Sequence, residues 1–347
     1  MVTGDNRKIR FTVFPRMRVL PGQKSNPYIQ DFVASLEQTG EATVVNPPHK
    51  NPLFSLLSMR RWGDVFVFNW YENVPDYKYG TIQTVVALLL VLGVKICGRK
   101  IIWVLHNKDS HRQGHAKQKR FLTRFIARHS DVILTHAREG INLAKRYDRR
   151  AGVKTCFLHH PTKNRLPKSR PTEPVVYDLL IWGQISRYKG VMEYIHYLKN
   201  NPCKELKICI AGACSSQSLA EEIASELTDT VTFINRALSF EELARYIEQS
   251  AFVLIPYNPE SILSSGTLMD SLSFGAKVIG PDTGSFRDYA PEKRLNVYTF
   301  RDYRDIEGIV TRYKDSPVSW EGYREFLEEN SWSHFAHRVV ELVKECD

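Results

Sequence analysis

The chain has 347 residues, of which 43% are hydrophobic and 25% charged, a balance typical of a globular protein with room for two domains. Its longest apolar run, residues 85–94, falls well short of the about 20 residues that cross a bilayer. The opening MVTGDNRKIR lacks the features of a signal peptide, and six cysteines without a CxxC pair favour reduced thiols. We therefore expect a cytoplasmic protein that does not span a membrane.

The charge is unevenly distributed along the chain. Residues 1–170 carry 30 Lys and Arg against 11 Asp and Glu, whereas residues 171–347 carry 18 against 27. Each basic residue close to an anionic membrane contributes about 1 kcal/mol, so this asymmetry favours peripheral contact between the first half and the inner face of a membrane. A solvated basic surface is the alternative. Nucleic acid is disfavoured because zinc-finger spacing, helix-turn-helix signals and aromatic-and-basic motifs are absent from the sequence.

In the first half, predicted strands alternate with predicted helices. Strands are expected at 8–14, 43–46, 65–70, 100–106, 132–136 and 155–160, and helices at 28–40, 53–62, 81–94, 116–129 and 137–147. This alternation predicts a Rossmann-like domain over residues 1–165.

Three of these helices bear on membrane contact. The segment 53–62 sets Leu53, Phe54, Leu56, Leu57 and Trp62 beside Arg60 and Arg61, and would either rest in a bilayer interface or pack on the sheet. The helix 81–94 is apolar nearly all round, which predicts one buried side and one side that is covered or touches a membrane. The helix 116–129 is expected to turn Lys117, Lys119, Arg120, Arg124 and Arg128 outward.

The second half repeats the alternation after a proline-rich linker at 161–174. Strands are expected at 175–182, 206–211, 231–235, 251–256, 277–280 and 296–299, with a capping box of Ser239 and Glu242 opening the helix at 240–249. Two tail helices between 320 and 346 break near Asn330. We predict a second Rossmann-like domain over 166–325 and a final helical segment over 326–347.

Two loops of this second domain form a candidate anion site. One follows the strand 251–256 and opens a helix, so backbone N–H groups and hydroxyls would meet a diphosphate there. The other, in LLIWGQISRYKG, follows the strand 175–182 and supplies cations. The candidate residues are Ser264, Ser265, Gly266 and Thr267 in the first loop and Gly183, Gln184, Arg187 and Lys189 in the second. Asp270, one helical turn on, is placed to accept hydrogen bonds from ribose hydroxyls.

These loops resemble those of the GT-B glycosyltransferases of the family 4 type. In that family a Gly-Arg-…-Lys-Gly loop holds the donor diphosphate. Gly183 and Lys189 stand in the matching places, Gln184 occupies the arginine position, and Arg187 is the alternative cation.

The family's second signature is a pair of glutamates eight positions apart, followed by Gly-x-Pro-Val-Ile. Aligning GAKVI at 275–279 on that tail puts Asp270 at the second, ribose-binding glutamate and Ile262 at the first, sugar-binding one. Glu260 is the nearest substitute for the missing sugar contact.

The resemblance implies an α/β fold with two Rossmann-like domains facing a cleft and a C-terminal helix crossing back to the N-terminal domain. It implies that the first domain binds the acceptor, so we expect acceptor contacts from the loop residues Arg16, Arg18, Lys24 and Asn26. In the first domain it favours His106, Asp109 and His111 as catalytic groups, with His106 touching the donor sugar or its β-phosphate. Asp109 or His111 would position or deprotonate the acceptor hydroxyl, and in the second domain Arg236 would border the nucleotide base.

The function expected from this resemblance is hexosyl transfer from a UDP- or GDP-sugar to a hydroxyl of a saccharide, lipid-linked, in cell-surface polysaccharide or glycolipid synthesis. Retention of configuration follows the family, while a carboxylate at Asp109 leaves inversion open. No Asp-x-Asp motif is present in the sequence, so we expect no metal or other cofactor. The alternatives are a sugar-nucleotide 2-epimerase and a non-catalytic membrane- or polyanion-binding protein with a degenerate nucleotide pocket.

Overall fold

The computed structural model describes residues 7–18, 27–108, 114–168, 174–201 and 206–346. The chain divides into two compact units, which we call the first unit (Met1–Pro161 with Asn330–Asp347) and the second unit (Thr162–Glu329). Within the described ranges each unit contains one six-stranded parallel sheet with helices between successive strands.

The strands follow the predicted alternation. In the first unit they are β1 (Ile9–Phe14), β2 (Ala42–Val44), β3 (Val65–Asn69), β4 (Lys100–Leu105), β5 (Val132–Thr135) and β6 (Thr155–Phe157), in the sheet order β2-β1-β3-β4-β5-β6. In the second they are β7 (Tyr177–Trp182), β8 (Ile208–Ala211), β9 (Val231–Ile234), β10 (Ser250–Leu254), β11 (Val278–Pro281) and β12 (Val297–Phe300), in the order β12-β11-β10-β7-β8-β9.

The α-helices lie between these strands and after the last of them. They are α1 (Pro27–Gln38), α2 (Gly80–Ile96), α3 (Ala116–His129), α4 (Glu139–Tyr147), α5 (Val191–Asn200), α6 (Gln217–Ser225), α7 (Phe240–Glu248), α8 (Gly266–Ser273), α9 (Gly284–Tyr289), α10 (Arg304–Tyr313), α11 (Trp320–Glu329) and α12 (Trp332–Glu345). The predicted capping box is present at α7, where Ser239 and Glu242 exchange side-chain and backbone hydrogen bonds.

The first sheet buries one face under α1 and α12. Strand residues such as Val67 and Val104 share a core with Phe32 of α1 and with Phe335 and Val339 of α12. The C-terminal helix therefore returns to the first unit, as predicted.

The second sheet has a core on each face, because successive side chains of a strand point to opposite sides. Along β7, Leu180 belongs to one core, and Leu179 and Ile181 belong to the other. Burial on both faces explains why these strands read as continuous apolar runs in the sequence.

Two predictions in the first unit were wrong. The segment 53–62 forms two short 3₁₀ helices, Pro52–Leu56 and Met59–Arg61, in place of one helix, and the Asn51 side chain caps the first of them. Lys119 does not face solvent. Its Nζ lies 2.8 Å from the Asp76 carboxylate, and both side chains are 8% exposed.

Candidate functional site

The loops after β7 and β10 meet in the second unit. Gly190 has φ +70, and a Cβ built on it would lie 1.8 Å from the carbonyl oxygen of Pro256, just after β10. Gly183, at the end of β7, has φ +102, and its carbonyl oxygen would lie 1.7 Å from a Cβ on Gly212. Only glycine permits such close approach of backbones, so Gly190 and Gly212 allow the β7 loop to lie against its neighbours, and the positive φ of Gly183 favours glycine there as well.

Lys189 is the side chain that links the two loops. A Cβ built on Gly183 would lie 3.7 Å from the Lys189 Nζ, which stands 5.5 Å from the centre of the Tyr257 ring. The Tyr257 hydroxyl lies 3.0 Å from the Thr267 Oγ1, in the first turn of α8. The structure thus brings Lys189, Tyr257 and Thr267 together. Sequence reasoning missed Tyr257, although its place directly after β10 is where functional groups of a parallel sheet gather.

The start of α8 has the features of an anion site. The Ser265 hydroxyl accepts from the Leu268 N–H at 3.1 Å and caps the helix, and Ser264 and Ser265 are buried. The N–H groups of Gly266 and Thr267 come before any intrahelical acceptor. Gly266 is exposed, so a ligand can reach its backbone at the positive end of the helix dipole.

The two cations of the β7 loop have different surroundings. The Arg187 guanidinium pairs with the Glu222 carboxylate of α6, and this pair raises the pKa of Arg187. Lys189 has no carboxylate partner among the residues that the structure describes. Gln184, in the place of the family's arginine, is exposed. Lys189 is therefore the cation of this loop that stands ready for a ligand.

Asp270 has a cationic neighbour that sequence reasoning missed. The Arg165 Nη1 lies 3.2 Å from the Asp270 Oδ1 and donates to the Ser273 hydroxyl at 3.0 Å. The Arg165 guanidinium also lies over the Phe240 ring, 4.4 Å from its centre. Arg165 belongs to the segment predicted as a linker, and it orients the Asp270 carboxylate from outside α8.

The remaining predicted groups of the second unit lie at different depths. Glu260 is exposed in a turn where its N–H donates to the Asn258 side chain at 2.9 Å. Ile262, aligned with the family's sugar-binding glutamate, is 4% exposed and belongs to the core. Arg236 is exposed and pairs with Glu242 at 2.7 Å, which lowers the pKa of Glu242 to about 2.

His106 lies at the end of β4 in the first unit and is 4% exposed. Its Nε2–H donates to the Asn69 Oδ1 at 3.0 Å, and the Asn69 amide is oriented by donating to the Phe14 carbonyl at 3.1 Å. The His106 ring stacks on Trp70 with 4.2 Å between ring centres. Burial, reinforced by neighbouring histidines, holds the pKa of His106 well below its usual range. A neutral imidazole suits a sugar hydroxyl better than a phosphate.

Further rings surround His106. Tyr28 lies edge-on to it with 5.0 Å between ring centres, and the Tyr28 hydroxyl donates to the His136 Nε2 at 2.9 Å. The His136 Nδ1–H donates to the Leu158 carbonyl at 2.9 Å. Burial is the main cause that lowers the pKa of His136 to about 3 and that of His160 to about 4. These histidines follow consecutive strands, and Tyr28 contacts all three rings, which the sequence does not reveal.

The candidate acceptor residues are only partly described. Arg16 donates to the Asn46 carbonyl, and burial lowers its pKa, whereas Arg18 is exposed. Lys24, Asn26, Asp109 and His111 lie outside the described residues. Among the residues that the structure does describe, no group of three or more His, Cys, Asp or Glu side chains is arranged to hold a metal ion.

Solved structures share this architecture. The chain resembles HepE of Anabaena in complex with UDP-glucose, with a TM-score of 0.68 and 11% identity over 97% of this chain and 100% of that one. It also resembles the lipopolysaccharide outer core galactosyltransferase WaaB (TM-score 0.62, 14% identity, 98% of this chain and 99% of that one). A third is AviGT4, a glycosyltransferase involved in avilamycin A biosynthesis (TM-score 0.58, 14% identity, 97% and 98%).

Neither a protein-family model nor a curated protein sequence matches the chain. At such low identities the likeness is one of fold, and the chain has the α/β GT-B fold of these structures.

Proposed function

We propose that the protein transfers a glycosyl group from a nucleotide diphosphate sugar to a hydroxyl of a saccharide. The observation that carries this proposal is the link from Lys189 through Tyr257 to Thr267, beside the exposed start of α8. A cation and a helix N-terminus at one place suit a diphosphate. UDP is the first nucleotide to test because HepE was crystallised with UDP-glucose.

The same groups suit the chemistry. In transfer, the bond between the sugar's anomeric carbon and the diphosphate oxygen breaks, a bond to the acceptor oxygen forms, and the acceptor's hydroxyl proton passes to an oxygen of the leaving diphosphate. Negative charge grows on the leaving diphosphate, where Lys189 and the N–H groups of Gly266 and Thr267 would stabilise it without a metal ion. We assign ribose contact to Asp270 and sugar contact to Glu260.

We extend the proposal to a hexosyl donor, a retaining mechanism of the family 4 type and a lipid-linked saccharide acceptor at the cytoplasmic face of a membrane. Resemblance to family 4 supports retention. The basic excess of residues 1–170 supports an anionic surface as partner. The likeness to WaaB, which is named a lipopolysaccharide outer core galactosyltransferase, supports a lipid-linked acceptor.

A donor screen tests the transfer. The full chain is incubated with UDP- and GDP-sugars, with and without lipid-linked saccharides and with and without EDTA, and products are read by mass spectrometry. We expect a glycosylated acceptor from a UDP-sugar, with EDTA present or absent. If an epimerised sugar nucleotide forms without acceptor, the activity is epimerisation and the proposal of glycosyl transfer is refuted. Absence of any thermal shift with UDP or GDP would point to a degenerate pocket and refute catalysis.

A further inference from the structure

An exposed apolar stripe runs along α2. Five side chains recur at intervals of three and four residues on its outer side and are exposed to between 38% and 85%: Ile82, Val85, Leu89, Leu92 and Ile96. The opposite side, which includes Ala87, Leu90, Val91 and Val94, is buried in the first unit. Lys95 is the first charged residue of the helix. Five exposed aliphatic side chains in one row are not the scattered apolar residues of an ordinary surface.

The segment 51–62 extends this stripe on one side. It is joined to α2 at two points, where Asn51 donates to the Gln83 side chain at 3.1 Å and where Trp62 packs close to Gly93. The segment exposes Phe54 (52%), Leu57 (48%) and Met59 (62%), together with Arg60 and Arg61. Its buried members, Leu53, Leu56 and Trp62, anchor it to the protein.

A row of cations lies along the neighbouring helix α3. The strand order β3-β4-β5 places α3 beside α2, and Gln118 donates to the Thr81 hydroxyl at 3.1 Å between their first turns. The inward ion pair between Lys119 and Asp76 fixes the rotation of α3. Lys117, Arg120, Arg124 and Arg128 are consequently exposed at intervals of three and four residues. Phe121 stands among them, 56% exposed.

Charge decides which partner fits. A second copy of the chain that covered the α2 stripe would set two strongly basic first halves against each other, each with 30 Lys and Arg against 11 Asp and Glu in residues 1–170, and such like charges repel. An anionic bilayer offers acyl chains for the apolar row and negative headgroups for the cations. Among the described residues no helix is long and apolar enough to cross a bilayer.

We propose that the outer sides of α2 and α3, with the exposed residues of segment 51–62, form a surface that docks on an anionic membrane. We call it the α2–α3 face. With α2 lying in the interfacial plane, its aliphatic row enters the acyl boundary while the cations of α3 and Arg60 and Arg61 meet the headgroups. This inference rests on the proposed transfer to a lipid-linked acceptor, for which it names the membrane-facing side of the protein.

Vesicle co-sedimentation of the full chain tests the proposal. We expect binding to vesicles of phosphatidylcholine with about one-third phosphatidylglycerol, little binding to phosphatidylcholine alone, and weaker binding as salt rises. The double variant Val85→Ser/Leu89→Ser should have a partition coefficient about 10-fold lower than the wild type, or lower still. The double variant Arg120→Gln/Arg124→Gln should lower the partition coefficient by a similar factor, and its vesicle binding should depend less on salt.

Two controls match these variants within the same unit. Val153→Ser removes an aliphatic side chain that is 91% exposed and lies outside the face, and Arg338→Gln removes a cation of α12. Both should bind vesicles as the wild type does. Thermal midpoints and UDP-induced shifts should be unchanged in every variant, because the nucleotide groups lie in the second unit. Loss of vesicle binding with an intact UDP response separates this surface from the donor site.

Three results would overturn the inference. The first is that the wild-type protein does not bind anionic vesicles, and the second is that Val85→Ser/Leu89→Ser protein binds them as strongly as the wild type. A dimer in sedimentation velocity that these serine variants dissociate would assign the stripe to a second copy. If vesicle binding behaves as expected while neither UDP nor GDP produces a thermal shift, the proposed transfer fails and the docking surface remains.

Discussion

Replacing Lys189 by alanine is the sharpest probe of the proposed nucleotide site. Lys189 is the cation of the β7 loop without a carboxylate partner among the described residues, and it lies between Gly183 and the Tyr257 ring. A hydrogen bond to a charged group contributes about 1.5–3 kcal/mol. Partial exposure of Lys189 screens this interaction, so we take about 1–2 kcal/mol. Because 1.4 kcal/mol corresponds to a tenfold change in Kd, the Kd for UDP should be about 5- to 30-fold higher in Lys189→Ala than in the wild type.

Isothermal titration with UDP measures the effect, and the chain offers two controls. Lys199→Ala removes a lysine of the following helix that is paired with Glu226 at 2.6 Å, and should leave the affinity unchanged. Arg187→Gln breaks the pair with Glu222 and should weaken binding less than Lys189→Ala does. An affinity of Lys189→Ala within about two-fold of the wild type, with all variants folded, would refute the placement of the diphosphate.

Three further predictions follow from named contacts. Gly190→Ala should lower the free energy of unfolding by more than about 2 kcal/mol in urea titrations, because a Cβ at φ +70 would strike the Pro256 carbonyl; an unchanged midpoint would contradict this. His136, with its pKa lowered to about 3 by burial, stays neutral when folded while the unfolded chain takes up a proton near pH 6.5. The contribution of His136 to stability is therefore complete above pH 6.5 and is lost on acidification, on the order of 2 kcal/mol by pH 5. His136→Asn should remove this share of the slope, while His106 and His160, whose pKa values burial also lowers, keep theirs. If Asp270 binds ribose hydroxyls, wild type should prefer UDP over 2′-deoxy-UDP and Asp270→Ala should lose the preference; a preference that survives would refute the ribose contact and leave the ion pair with Arg165 as a structural one.

The elements of the fold could be predicted because local signals agree with tertiary burial. The α3 helix begins and ends at the predicted residues. The start of α7 was predicted from Ser239 and Glu242, whose spacing of three residues is that of a capping box. The segment 53–62 could not be predicted as two 3₁₀ turns, because its apolar residues suit a helix equally well. The difference is made by Asn51, which caps the first turn, and by the burial of Trp62.

The candidate site was harder to predict because its side-chain partners lie far away in sequence. Glu222, 35 residues after Arg187, pairs with that arginine, and Arg165, 105 residues before Asp270, pairs with that carboxylate. Motif spacing identifies which loops meet at the ends of parallel strands. It does not say which charge in a loop is already neutralised, and that decides whether a cation remains for a ligand.

Position 262 shows the same limit of motif spacing at the residue that would contact the donor sugar under the proposed function. At position 262 the family's pattern expects a glutamate, and this chain has an isoleucine that is 4% exposed within the core of the second unit. A carboxylate at that depth would need a buried partner to offset its desolvation. The loop backbone is therefore shaped to bury this side chain and not to present it. Glu260, exposed two residues earlier, would reach a bound sugar only from the rim of the loop. Under the proposed function, recognition of the donor sugar would therefore depend on contacts other than a buried glutamate at position 262.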